Sequence, residues 1–95
     1  MYMTIRRYET DPKSASEIIR RVKEEFMPII KKLPGFVSYN LIDAGNGTLA
    51  SITTFQDKSG AEESTRRAAD WVKTVRSLSS NPPQIISGEI VVQSW

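Results

Sequence analysis

Hydrophobic positions along this chain follow two different periods. Residues 2–8, YMTIRRY, have the β-branched and aromatic content of a strand. After the turn-like ETDPK, apolar side chains recur at Ile18, Ile19, Val22, Phe26, Ile29, Ile30 and Leu33. Steps of three and four predict an amphipathic helix. Ser14 and Glu17 have capping-box spacing, which places the helix start near residue 15. Pro28 falls inside the stripe and removes one backbone donor. It predicts a bend, with Ile29, Ile30 and Leu33 still packed inward beyond it. Pro34-Gly35 then ends the helix.

FVSYNLID (36–43) and TLASITTFQ (48–56) flank AGNG, a hairpin signal in which Gly and Asn supply positive φ. Two registers are open, with Ala44 opposite Gly47 or Gly45 opposite Thr48, and both give the same faces. One face holds Phe36, Ser38, Asn40, Ile42, Leu49, Ser51, Thr53 and Phe55. The other holds Val37, Tyr39, Leu41, Ala50, Ile52 and Thr54. Ser59 and Glu62 offer a second capping box. The helix they open turns Ala61, Ala68, Ala69, Val72, Val75 and Leu78 inward, with Trp71 at the stripe's margin. SSNPP (79–83) is a breaker, and residues 84–95 read as a last strand with Gly88 as a bulge or close approach.

The order β-α-β-β-α-β is the split unit of the α+β, ferredoxin-like class. Right-handed crossovers predict a four-stranded antiparallel sheet, order 4-1-3-2, with two helices on one face. The more apolar set of strand residues is assigned to the helices: Met3, Ile5, Val37, Leu41, Ile52, Ile86, Ile90 and Val92, with Tyr39 among them. Thr4, Arg6, Tyr8, Phe36, Ser38, Asn40, Ser51, Thr53, Phe55, Ser87 and Glu89 then share the open face. That mixture suits a buried interface or a wet cavity. Arg6 and Glu89 are expected as neighbours there, a charge-assisted pair aligning two subunits, with a base role for Glu89 as the catalytic alternative. Phe36 and Phe55 are expected in the same dimer interface, and Trp95 against a partner subunit.

Composition narrows the chemistry. The 95 residues make one domain, 1–95, of a size that leaves a thin stability margin and favours association with a second copy. With no cysteine and no histidine, disulfides, thiol nucleophiles, imidazole or thiolate metal ligands and a Ser-His-Asp triad are excluded. No metal site is expected. A net charge of +2 is a small excess, and many charges pair along helices at i,i+4 spacing, so no nucleic-acid partner is expected. An RNA-binding module of this class needs a basic-aromatic signature, and TLASITTF offers only Phe55. No apolar run approaches the ~20 residues of a membrane span, and no signal-peptide core stands at the N-terminus. A soluble, cytoplasmic protein without a membrane partner is expected.

LPGFVSYNLI, the Gly/Asn turn and TLASITTFQDKSGAEESTRRAADWV resemble the antibiotic biosynthesis monooxygenase-like family, of the dimeric α+β barrel superfamily. The resemblance spans nearly the whole chain, including GEIVV. It implies two protomers with their open sheet faces together, and a pocket between sheet and helices in each. Some members oxidise phenolic or quinol-like compounds with dioxygen and no cofactor, and others degrade haem with the help of a histidine that this sequence lacks. In the oxygenases Asn, Trp, Tyr and Arg orient the substrate; by type and element, Asn40, Trp71, Tyr39 and Arg76 correspond. The resemblance thus implies a small aromatic or polyketide-like ligand, with Tyr39, Trp71 and Arg76 as substrate-binding residues and Asn40 and Trp71 as catalytic candidates. The residues themselves leave three classes open: a cofactor-free monooxygenase, a non-catalytic ligand-binding or stress-response barrel, and the RNA-binding module. Each candidate also has a plainer role, Asn40 as an interface polar group bonded to Ser38 or Ser51, and Tyr39 and Trp71 as packing residues.

Overall fold

The computed structural model describes residues 1–75 and 82–94. β1 (Tyr2–Glu9) leads into α1 (Ala15–Arg21), a π-helical turn (Val22–Phe26) and α2 (Met27–Ile30). β2 (Phe36–Gly45) and β3 (Thr48–Phe55) form the hairpin. α3 (Lys58–Val72), extended by a 3-10 turn (Lys73–Val75), precedes β4 (Gln84–Glu89). Every strand pair is antiparallel and the order is β2-β3-β1-β4, which is 4-1-3-2 read from the other edge. The expected ferredoxin-like class is therefore the observed one. Among the described residues no helix is long and apolar enough to cross a membrane.

The first helical segment accommodates its proline by widening. The Met27 N–H bonds back to the Val22 carbonyl, one residue further than in an α-helix. Pro28 then stands in the first turn of α2, where a missing N–H costs little. The extra residue in the wide turn rotates the side chains beyond it. Ile30 is fully buried and Leu33 half-buried against Phe26 and Ile30, as expected, but Ile29 is turned out and 39% exposed.

Neither capping box forms. Ser14 flanks α1 without a side-chain bond, and Glu17 pairs with Arg20 instead. Asp57, not Ser59, caps α3: its carboxylate accepts from the Gly60 N–H at 3.0 Å and from the Ser59 hydroxyl at 2.8 Å. A charged acceptor aimed at orphan N–H groups outcompetes a serine two residues along. In α3, Ala61, Ala68 and the following Val75 are buried, Ala69 is exposed, and Leu78 lies outside the described residues.

The hairpin turns on Asn46 and Gly47, at φ 57° and 86°, with Gly45 opposite Thr48. That is one of the two registers expected. Beyond the turn the pairing shifts twice, between Asp43 and Gly45 and again between Phe36 and Ser38. Each bulge inserts an extra β2 residue and reverses the strand's parity against β3. Between them Tyr39 faces Thr53 and Leu41 faces Ser51, while Asn40 faces Ile52.

The side of the sheet that the helices cover is consequently not the one expected from apolar count. Thr4, Arg6, Leu49, Ser51, Thr53 and Phe55 are buried beneath the helices, at 2% exposure or less. Tyr39 and Leu41 join them, as expected, because the bulge carries them to that side. Met3, Ile5, Ile52 and Ile86 lie on the open face. Ile86, Ile5 and Ile52 are aligned across three strands, and Ile5 is 37% and Ile86 72% exposed. Ile90 and Val92 lie beyond β4, which pairs regularly through Gly88 without a bulge or a close approach.

Gly47 is fixed by two constraints. Its φ is positive, and the Thr10 carbonyl oxygen occupies the space a Cβ would need. That carbonyl belongs to a residue whose N–H and hydroxyl both donate to the Gly47 carbonyl at 2.8 Å. Gly47→Ala is expected to destabilise the protein by more than about 1 kcal/mol. A urea unfolding curve measures this, and an unchanged midpoint would contradict it.

Candidate functional site

Between sheet and helices the interior has two chemically different halves. Against α1, the π turn and α2 it is apolar, built on Ile18, Val22, Leu49, Phe26 and Ile30. On the sheet beside it, Thr4, Arg6, Ser51 and Thr53 are all buried, with Ser64 of α3. Tyr8, on β1, and Tyr39, on β2, stand where the halves meet.

A cavity of about 20 Å³ lies on the apolar side, walled by Tyr8, Tyr39, Leu41, Phe26, Trp71 and Val75 among others. Its aromatic wall is ordered around Phe26. The Tyr39 ring meets it edge-on at 5.8 Å, and the Trp71 ring lies tilted at 5.4 Å. Trp71 is half-buried, and its indole N–H donates to the Glu25 carboxylate at 3.2 Å. Glu25 also accepts from Arg21, whose guanidinium donates to the Thr74 carbonyl at 3.3 Å. The π turn and the end of α3 are thus tied together over the cavity.

Burial sets the protonation of the polar wall. It pushes the Tyr39 phenol well above its ordinary range, with Tyr8 adding to the effect and Ser51 and Arg6 partly offsetting it. Burial likewise raises Tyr8, against the opposing pull of Arg6 and Ser51. Both phenols are neutral donors at neutral pH, not bases. Burial also lowers Arg6 from its usual value, and the phenols counter it. A guanidinium has a reference value so high that Arg6 stays charged. The arrangement can hold an oxygen atom by neutral O–H donors and stabilise negative charge on it in a dry setting.

The structure gathers only part of the expected site. Tyr39 and Trp71 meet at the cavity. Asn40 is exposed on the open face beside Ile52, while Ser51, one of its expected partners, is buried on the opposite side. Arg76 and Trp95 lie outside the described residues. Phe55 is fully buried and Phe36 packs edge-on to it at 5.8 Å on the helix side, so neither lies on the open face. Arg6 is also beneath the helices, and its guanidinium donates to the Thr65 hydroxyl at 2.8 Å. The Arg6–Glu89 pair does not form: Arg6 stands opposite Ile85, and Glu89 opposite Tyr2, where it binds the N-terminal ammonium at 3.2 Å. Tyr8, which walls the cavity, and Arg6, buried beside it, are residues that sequence reasoning placed on the wrong side. The signal that could have found them was their shared parity with Leu49. Among the described residues, no group of three or more His, Cys, Asp or Glu is placed to hold a metal ion.

Neither the family models nor the curated proteins compared with this sequence match it. Solved structures do. A protein of unknown function from Nitrosomonas europaea, NE2512, is similar at a TM-score of 0.84 and 19% identity, over 99% of this chain and 92% of that one. The monooxygenase from the gene ActVA-Orf6 of Streptomyces coelicolor, solved with the ligand nanaomycin D, is similar at 0.76 and 16% identity, over 97% and 92%. An antibiotic biosynthesis monooxygenase is similar at 0.75 and 16%, over 97% and 100%. At these identities the likeness is one of fold.

Proposed function

We propose that this chain, which has the fold of the antibiotic biosynthesis monooxygenases, binds a small, flat, oxygen-bearing aromatic or polyketide-like molecule between its sheet and helices. It does so as a homodimer whose subunits join through their open sheet faces. The observation that carries the reading is the meeting of Tyr8, Tyr39 and Trp71 around an apolar cavity, with Arg6 behind the phenols. The nanaomycin D bound by one protein of the same fold supports the ligand class.

The reaction this site suits is oxygenation of a substrate that supplies its own electrons. A methylene between aromatic rings loses a proton to give an enolate-type anion, which reduces dioxygen. One oxygen atom ends in a new carbonyl and the other leaves as water with the two hydrogens. Tyr8 and Tyr39 would donate to the substrate's oxygen as charge develops, and the aromatic wall would exclude water.

A non-catalytic ligand-binding barrel is the second reading, and the cavity's size bears on both alike. About 20 Å³ holds roughly one water molecule, whereas drug-sized ligands occupy roughly 300 Å³ or more. Entry of a flat ligand requires the Trp71–Glu25 tie to part and the π turn to move from α3. Oxygen uptake with hydroquinones and anthrone-type compounds in metal-free buffer separates the readings. An enzyme consumes oxygen, is indifferent to chelators, and loses about a hundredfold in rate on Trp71→Ala through misplacement of the substrate. Binding without uptake leaves the non-catalytic barrel. Neither binding nor uptake overturns both.

A further inference from the structure

Arg6 is the least expected occupant of this interior. Its side chain is 2% exposed, and the bond to Thr65 is its one side-chain partner among the described residues. The ion pairs in the described part of the chain join other residues, and none includes Arg6. A buried charge without a counter-charge is costly, and buried guanidinium groups are ordinarily matched by carboxylates. Among the described residues the surroundings of Arg6 are polar without being anionic. Thr53, one rung along on the neighbouring strand, keeps a buried hydroxyl with no hydrogen-bond partner among the described residues. Tyr8 lies two residues along β1 on the same side of the sheet, and Tyr39 faces Thr53 on β2. The cavity's lining among the described residues carries no charged side chain, and Arg21 and Glu25, which lie outside it beside Trp71, are paired with each other.

We infer that the counter-charge of Arg6 is the ligand: the pocket takes aromatic molecules in an anionic form, as carboxylate, phenolate or enolate. The anionic group is held by the Tyr8 and Tyr39 hydroxyls, and Arg6, which does not line the cavity, acts through them as a positioning charge. This rests on the ligand-binding reading above and deepens it. A neutral aromatic of the same shape gains the apolar contacts and forgoes the field. The same field draws an ionisable ligand toward its deprotonated state, the state a cofactor-free reaction with dioxygen needs.

The test uses 2-naphthoate and 2-naphthamide, two ligands of nearly equal shape that differ in charge, titrated calorimetrically at neutral pH. Wild type is expected to bind naphthoate about tenfold or more tightly than naphthamide, the worth of one charge-assisted hydrogen bond. Arg6→Met abolishes that preference while naphthamide binding persists, and Arg6→Lys retains part of it. Melting curves of each variant accompany the titrations. A second measurement needs no variant: the absorbance titration of 4-nitrophenol bound to wild type shifts to lower pH than that of the free dye. Equal affinities, an unchanged ratio in Arg6→Met, or a dye midpoint at or above its free value overturns the inference and leaves a neutral aromatic pocket standing. Failure of all three probes to bind overturns the pocket itself.

Discussion

Phe55→Ala is expected to lose about 3–5 kcal/mol, the usual cost of emptying a buried phenylalanine site. Against a total of about 5–15 kcal/mol for a domain, this removes a large share of the margin. Phe55 is fully buried, with Phe36 edge-on at 5.8 Å. The backbone of α3 comes down on its ring at Gly60, where an added Cβ would stand 2.6 Å from a ring carbon. On that side the contact is main chain, so no side chain there can collapse into the space. Urea unfolding measures the loss, with Ile29→Ala as the control, since Ile29 is 39% exposed. A loss at Phe55 no larger than at Ile29 would contradict the packing described.

The second large effect is on assembly. Ile5→Arg is expected to convert a dimer to a monomer that still folds, because Ile5 is 37% exposed within its own chain. It sits between Ile52 and Ile86 in one row across the open face. An apolar row that the described residues leave open is what an association surface needs, and a charge placed in it would be unpaired and desolvated. Light scattering at micromolar concentration should give twice the chain mass for wild type and the chain mass for the variant. A wild-type monomer, or a variant dimer, would contradict the face-to-face assembly.

Element order, strand order and the hairpin turn were all legible because they rest on local chemistry: periodicity, Pro34-Gly35, and Asn46-Gly47 at positive φ. What failed was parity. A bulge has no residue signature in AGNG or LPGF, yet the two in β2 carry Tyr39 and Leu41 to the side of Leu49 and Phe55. The rule that the more apolar face belongs inside also failed, for a physical reason. The interior holds Arg6, threonines and serines, and isoleucines populate the face left open. Burial within one chain and burial between chains leave the same mark on a sequence. Trp71 was legible as a marginal residue of its helix, since a margin is where a side chain can both pack on Phe26 and reach Glu25. Asp57 was not, because the capping-box pattern at Ser59 and Glu62 drew the helix start two residues late.

Which side of the sheet a ligand enters is reported directly by the Trp71 indole. Its N–H is bonded to Glu25 at the cavity, whereas Ile5 and Ile86 mark the open face. Titrating a hydroxynaphthoquinone into isotope-labelled protein, with Trp71→Phe to assign the indole signal, monitors both sides at once by nuclear magnetic resonance. A ligand held between sheet and helices gives a saturable shift of the Trp71 indole N–H and leaves the Ile5 and Ile86 methyl signals unmoved. Shifts confined to those methyl groups, with the indole unchanged, would contradict a site beneath the helices.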